Sequence, residues 1–209
     1  MIETNIDVAD PFQRRPRRCV PHGHRGRLSR LLVISIALVL LSSACLPAQQ
    51  SNPGEYEVKA VYLYDFAKFV TWPANVTTAG EFTICVLGVD PFGATLDAIT
   101  AGERINGRKI AINRIAKPQE AVSCHILFIS SSEEGQLKEI LATLDKTSVL
   151  TVSDISQFTR RGGMIQFVVE ANKVRFEVNV TSADRAGLVL SSQLLKVAVN
   201  VRRGSPAGD

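Results

Sequence analysis

The chain is 209 residues long, with 24 Lys+Arg, 20 Asp+Glu and a formal net charge of +4. Seven of the arginines and three of the acids fall in residues 1–30, so from Gln49 onward 17 basic residues are balanced by 17 acidic ones. A neutral chain of about 160 residues is enough for one domain with a proper core, and without a basic stripe it lacks the electrostatic footprint of a nucleic-acid binder.

In chain order, the basic stretch to Arg30 leads into an apolar run, Leu31–Leu41, broken only by Ser35, and then into the small residues Ser42-Ser43-Ala44 and Leu46-Pro47-Ala48. That order is a secretory signal peptide, residues 1–48, and the run is shorter than the roughly 20 apolar residues of a membrane span. Cleavage after Ala44 and cleavage after Ala48 both fit. Leu-Ser-Ser-Ala-Cys also has the character of a lipoprotein signal with Cys45 as acceptor, although Leu41 stands one position too far upstream. Residues 49–54 read as a loose lead-in, 55–201 as a single domain, and 202–209 as a tail.

Glu55–Val70 has the pattern of a helix, stopped by Trp72-Pro73 because a residue before proline avoids the helical region. At 100° per residue Glu57, Asp65, Lys68 and Thr71 share one stripe while Lys59 lies opposite. Tyr56, Tyr62, Tyr64, Phe66 and Phe69 then make the apolar surface wider than one core stripe needs. That surface is either core or contact, and Lys59 and Trp72 are candidate contact residues. Phe82–Leu87 is a buried-type strand closed by Gly88-Val89-Asp90-Pro91-Phe92-Gly93. A phosphate loop would need a Lys-Ser/Thr that is missing here, so a strand-to-helix turn into Ala94–Ile99 is expected.

Arg108–Asn113 is a second strand and His125–Ser130 a third. Ser131 and Glu134 have capping-box spacing before a helix Glu133–Leu144. Val149–Val152 is a fourth strand, and Asp154 reads as the N-cap of a short turn through Phe158. Gly162–Val180 is a hairpin turning at Ala171-Asn172. In its second run Val174, Phe176, Val178 and Val180 face the core, and Lys173, Arg175, Glu177 and Asn179 face out. Arg175, Glu177 and Asn179 are the remaining candidate contact residues, against the plainer reading of a solvated sheet face. Ala183–Val201 is expected as a closing amphipathic helix. The alternation predicts an α/β sandwich with a central mixed, largely parallel β-sheet and flanking helices.

Two cysteines remain after the leader, Cys85 and Cys124. An exported chain with an even number invites a disulfide, the alternative being two buried free thiols. His125 is the only histidine after the leader, too few ligands for zinc, and no Gly-x-Ser-x-Gly elbow is present. No catalytic set, metal site or cofactor is expected.

Six stretches carry a resemblance: Lys-Ala-Val-Tyr-Leu-Tyr-Asp-Phe-Ala-Lys-Phe-Val-Thr-Trp-Pro (59–73), Ile-Cys-Val-Leu-Gly-Val-Asp-Pro-Phe-Gly (84–93), Cys-His-Ile-Leu-Phe-Ile-Ser (124–130), Val-Leu-Thr-Val-Ser-Asp (149–154), Gly-Gly-Met-Ile-Gln-Phe (162–167) and Ser-Ser-Gln-Leu-Leu-Lys (191–196). From about Glu55 to Val201 the chain resembles the YfiR family of exported bacterial proteins. The resemblance implies a non-enzymatic periplasmic repressor. Such a protein is expected as a homodimer that contacts the periplasmic sensor region of a membrane-bound diguanylate cyclase and so lowers cyclic di-GMP and biofilm formation. It further implies that Cys85 and Cys124 form a disulfide. Some relatives carry a second cysteine pair near the hairpin, where this chain has Thr159 and Gln166. The alternative is a periplasmic small-molecule binding protein feeding a membrane sensor. Its ligand would sit near Gly88–Gly93 and Ser130–Ser132, at the carboxyl ends of parallel strands.

Overall fold

The computed structural model describes residues 53–76 and 80–204. The expected signal peptide, Cys45 and the outer parts of the two expected loose ends lie outside these residues. The first helix, α1 (Pro53–Phe69), begins two residues before the expected start and ends one before the expected end. Ala60, Leu63, Phe66 and Ala67 are its buried stripe. Glu55 in the first turn and Lys68 in the last complement the helix dipole. Strand β1 (Val70–Thr71) follows directly.

The main sheet contains β2 (Phe82–Leu87), β3 (Arg104–Ile105), β4 (Arg108–Ile115), β5 (Ile126–Ile129), β6 (Leu150–Ser153), β7 (Ile165–Glu170), β8 (Lys173–Asn179) and, after the short strand β9 (Val189–Leu190), β10 (Asn200–Arg202). Its order is β10-β8-β7-β6-β5-β2-β4-β3. Strands β4, β2, β5, β6 and β7 run parallel, β8 is antiparallel to β7, and β3 is antiparallel to β4. All four residues of β5 are buried, as expected for a central parallel strand covered on both faces. Period two then divides the interior. Ile84, Val86, Ile126, Phe128, Leu150, Val152, Ile165, Phe167 and Phe176 pack under α1, whereas Cys85, Leu87, Leu127 and Ile129 pack with Leu137 and Ile140 of the opposite layer. The fold is the expected α/β sandwich with a mixed, largely parallel sheet.

Four local expectations are corrected. Ala183–Val201 is not one helix but α4 (Val180–Arg185), β9, α5 (Ser192–Val197) and β10, where α2 is Ala94–Thr100 and α3 is Leu137–Thr143. Gly187, at φ 73°, ends α4 with the paired closing bonds Leu188 N–H to Ala183 O and Gly187 N–H to Asp184 O, each 3.0 Å. Ser191 then opens α5 by accepting from Leu194 N–H at 3.2 Å. The capping box does not form: Ser130, not Ser131, caps the segment, and Ser131–Gln136 is a 3-10 turn before α3 begins. Asp154 caps nothing: its Oδ2 is taken by Lys59 and Tyr56 of α1, while Ser153 Oγ accepts the Ile155 N–H at 3.0 Å. The second strand runs two residues further, to Ile115, and is one arm of a hairpin with β3.

Candidate partner-binding surface

The hairpin β7–β8 turns at Ala171-Asn172, with φ 48° and 60°, the geometry that matches the right-handed twist of two paired strands. Register then fixes its outer face. Glu170 stands opposite Lys173, Val168 opposite Arg175, Gln166 opposite Glu177, and Asn200 of β10 beside Glu177. Arg175 is exposed and makes no ion pair or hydrogen bond among the described residues, while Glu177 is half-buried. Glu177 Oε2 accepts from Thr159 Oγ1 at 3.1 Å. Asn179 does internal work: its Nδ2 donates to Thr159 O at 2.9 Å and its Oδ1 accepts from Ser182 N–H at 3.0 Å, capping α4. Arg175 and Glu177 therefore form the outward part of the predicted set, with Asn179 as the post beneath them.

Lys59 and Trp72 belong to the other layer and do not join that face. Lys59 is 2% exposed, its Nζ 2.7 Å from Asp154 Oδ2, 2.6 Å from Glu55 Oε1 and 4.2 Å from the centroid of the Tyr56 ring. Tyr56 OH donates to the same Asp154 oxygen at 2.8 Å. Burial first, then the Asp154 charge, holds the Tyr56 phenol well above its ordinary value, so it keeps its proton. Asp154 was not singled out by the sequence as a partner of Lys59, and 95 residues separate the two. Trp72 is buried and donates through Nε1 to His125 O at 3.2 Å.

His125 is a packing residue: Nδ1 accepts from Thr83 N–H at 3.1 Å and the ring stacks on Phe82 at 4.5 Å. Burial, with the Arg108 charge second, lowers its pKa, and the Val76 backbone acts in the opposite direction. Just before it, Cys124 is bonded to Cys85, with Cα atoms 5.9 Å apart. Both cysteines are buried in the second core, where β2 and β5 are neighbours.

The parallel strands reverse direction of growth at β2, between β4 and β5, which is where open α/β sheets hold ligands. Gly88 and Ser130 do sit there together, Ser130 N–H donating to Leu87 O at 3.0 Å. The crevice is filled by the protein's own groups. Ser132 Oγ accepts from Val89 N–H at 3.0 Å and donates to Glu133 Oε1 at 2.9 Å, and a Cβ on Gly88 would collide with both side chains. Arg114 closes the same loop from the side through Asp90, Asp97 and Gly93 O.

Among solved structures, the chain is similar to a conserved domain protein from Vibrio cholerae, at 11% identity and TM-score 0.49, over 70% of this chain and 60% of that one. It is similar also to the ABC domain in complex with L-Trp from Streptococcus pneumoniae, at 11% identity and TM-score 0.47, over 71% of this chain and 60% of that one. The chain thus spans about three fifths of the length of these structures. The YfiR/HmsC-like family model matches residues 56–199, which take in all but the first three residues of α1, the Cys85–Cys124 pair and the β7–β8 hairpin. The chain belongs to the YfiR/HmsC-like family.

Proposed function

We propose that this chain is an exported, non-enzymatic regulator that holds a membrane-bound diguanylate cyclase inactive by contacting its periplasmic sensor region. Family membership carries the reading. The contact is assigned to the outer face of β7, β8 and β10, where Arg175 has no internal partner and Glu177 stands beside it. An unpaired arginine on a firm strand is well suited to an interface, because its planar donors are pre-organised and arginine is enriched at interface hot spots. A homodimer is part of the same proposal. Val197 is exposed at an apolar groove between α1 and α5, lined also by Tyr62, Phe69 and Leu194, and Val58 and Val61 are exposed elsewhere on α1; together these offer apolar area to a second copy.

The test is a cyclic di-GMP reporter in the native strain. Deleting the gene should raise the signal, and the wild-type gene should restore the low level. Arg175→Glu should fail to restore it while reaching the periplasm in normal amount. An unchanged signal on deletion would remove the repressor reading; full restoration by Arg175→Glu would remove only the assigned face. The small-molecule alternative is not carried by the Gly88–Ser130 crevice, which Ser132 and Glu133 occupy.

A further inference from the structure

A second cleft lies at the other end of the sheet. It opens at the amino-terminal ends of β6 and β7, between the last turn of α3 and helix α4, and encloses about 350 Å³. Leu141, Leu144 and Met164 form its apolar wall. Its polar groups are mostly donors. Thr151 is 2% exposed; its Oγ1 accepts the Met164 N–H at 3.1 Å, and its own proton has no acceptor among the described residues. Ser182 is 5% exposed; its Oγ accepts one Arg185 N–H at 3.4 Å, and its proton likewise has no acceptor among the described residues. Lys146 and Arg185 line the mouth, and neither has an acid within ion-pair distance among the described residues. Asp145 is the one carboxylate on the rim.

A buried hydroxyl whose proton finds no acceptor leaves a desolvation cost in place, and two such protons beside two unpaired cations call for a ligand rich in acceptors. We propose that this cleft binds a small organic anion, a carboxylate on an apolar body. Arg185, whose Nε donates to Thr181 O at 3.4 Å, keeps guanidinium donors on Nη1 and Nη2 for a carboxylate, Thr151 and Ser182 donate to its oxygens, and Leu141 and Met164 pack against the body. The volume is at the lower end of the range for small-molecule pockets and takes roughly a phenyl ring with its acid group. The inference is independent of the regulator reading, since it concerns neither the hairpin face nor the cyclase.

The experiment is an amide NMR titration of the labelled protein, purified from the periplasm, with phenylacetate as probe and benzyl alcohol as the uncharged control. Expected are saturable shifts at Thr151, Gly162, Ser182 and Ala186 with phenylacetate, at a Kd of about 1 mM or tighter, and none with benzyl alcohol. Arg185→Gln should weaken binding about tenfold or more, and Ser182→Ala several-fold, with the rest of each spectrum unchanged. Lys146→Gln, at an exposed position, is the reserve variant should Arg185→Gln disturb the fold. No saturable shift at these amides, an equal response to benzyl alcohol, or unchanged affinity in the folded cation variants overturns the proposal.

Discussion

Lys59 Nζ is 2.7 Å from Asp154 Oδ2, and the Lys59 side chain is only 3% exposed. The pair ties the first helix to the residue that leaves β6, with Glu55 as a second acceptor and Tyr56 OH on the same carboxylate oxygen. Removing one partner of a buried pair leaves an uncompensated charge, which costs about 3–5 kcal/mol. Lys59→Met should therefore destabilise the protein by roughly that amount, since it leaves the Asp154 and Glu55 carboxylates without their cation. Urea unfolding measures it, and a loss under about 1 kcal/mol would deny the pair its anchoring role.

How much of this was legible follows from distance along the chain. The 100° period put Lys59 off the polar stripe of Glu57, Asp65 and Lys68, so its unusual environment was readable; its partner Asp154 was not, because nothing local links them. The turn at Ala171-Asn172 was readable from the strand pattern on either side. The hairpin at Asn106-Gly107, φ 50° and 80°, carried the strongest two-residue turn signal in the chain and was missed because β3 has only two residues. Leu190, Leu194 and Ala198 mimic a single helical stripe, yet they belong to a strand, a helix and a helix cap; Gly187 was the cue that the stripe is broken. On the hairpin, alternation separated Arg175 and Glu177 from the core, but it could not show that Asn179 would be taken up in capping α4.

The Cys85–Cys124 bond closes a sequence separation of 39 residues between neighbouring strands. The chain-entropy model gives about 4 kcal/mol for such a loop, and native disulfides typically cost 2–5 kcal/mol to remove. Cys85→Ser should lower stability by about 2–4 kcal/mol in urea unfolding. Protein from the periplasm, unfolded without reductant, should take up no alkylating agent at Cys85 or Cys124. Two alkyl groups there would mean buried thiols instead of a staple.

Ala171 sits at φ 48°, where a Cβ crowds the backbone. Ala171→Gly relieves that strain in the turn, at the price of a more flexible unfolded chain. The strain, about 1–2 kcal/mol for an L-residue in this region, is the larger quantity, so a net gain of about 0.5–1 kcal/mol is expected. Thermal melting should show a higher Tm for Ala171→Gly; a lower one would show that the turn is not strained in solution.

His125 sets a pH dependence. Its folded pKa lies below the ordinary value, chiefly from burial, so the unfolded chain binds the proton more readily. Stability is then highest above the unfolded value of about 6.5 and falls as pH drops through it toward the folded value. The lowered carboxyl of Asp97, held by Arg114, acts in the same direction but only at more acidic pH, below about 4. Urea midpoints should fall between pH 7 and pH 5, and His125→Asn should flatten that part of the curve. An unchanged slope in the variant would assign it to another group.

Thr159 and Gln166 meet where the family resemblance implies that some relatives carry a second cysteine pair. Gln166 Oε1 accepts from Thr159 N–H at 3.3 Å, and the two side chains approach to 3.5 Å through Thr159 Oγ1. Both residues are buried, at the start of β7 and in the turn that precedes it. The double variant Thr159→Cys, Gln166→Cys is expected to oxidise during export with a backbone shift that draws the two Cβ atoms to the roughly 3.5–4.5 Å a disulfide needs, since Gln166 reaches Thr159 only through its terminal amide oxygen. Closing a loop of seven residues contributes about 2 kcal/mol on the chain-entropy model, offset in part by losing the Thr159 hydroxyl bond to Glu177. A net gain of about 1 kcal/mol over the wild-type chain is expected, and neither single variant, Thr159→Cys or Gln166→Cys, should show it. Intact mass after alkylation reads the bond directly, and urea unfolding without reductant, beside the wild type and the two single variants, reads its effect. Alkylation of both new thiols in exported protein would show that the polar pair is not placed as a disulfide requires.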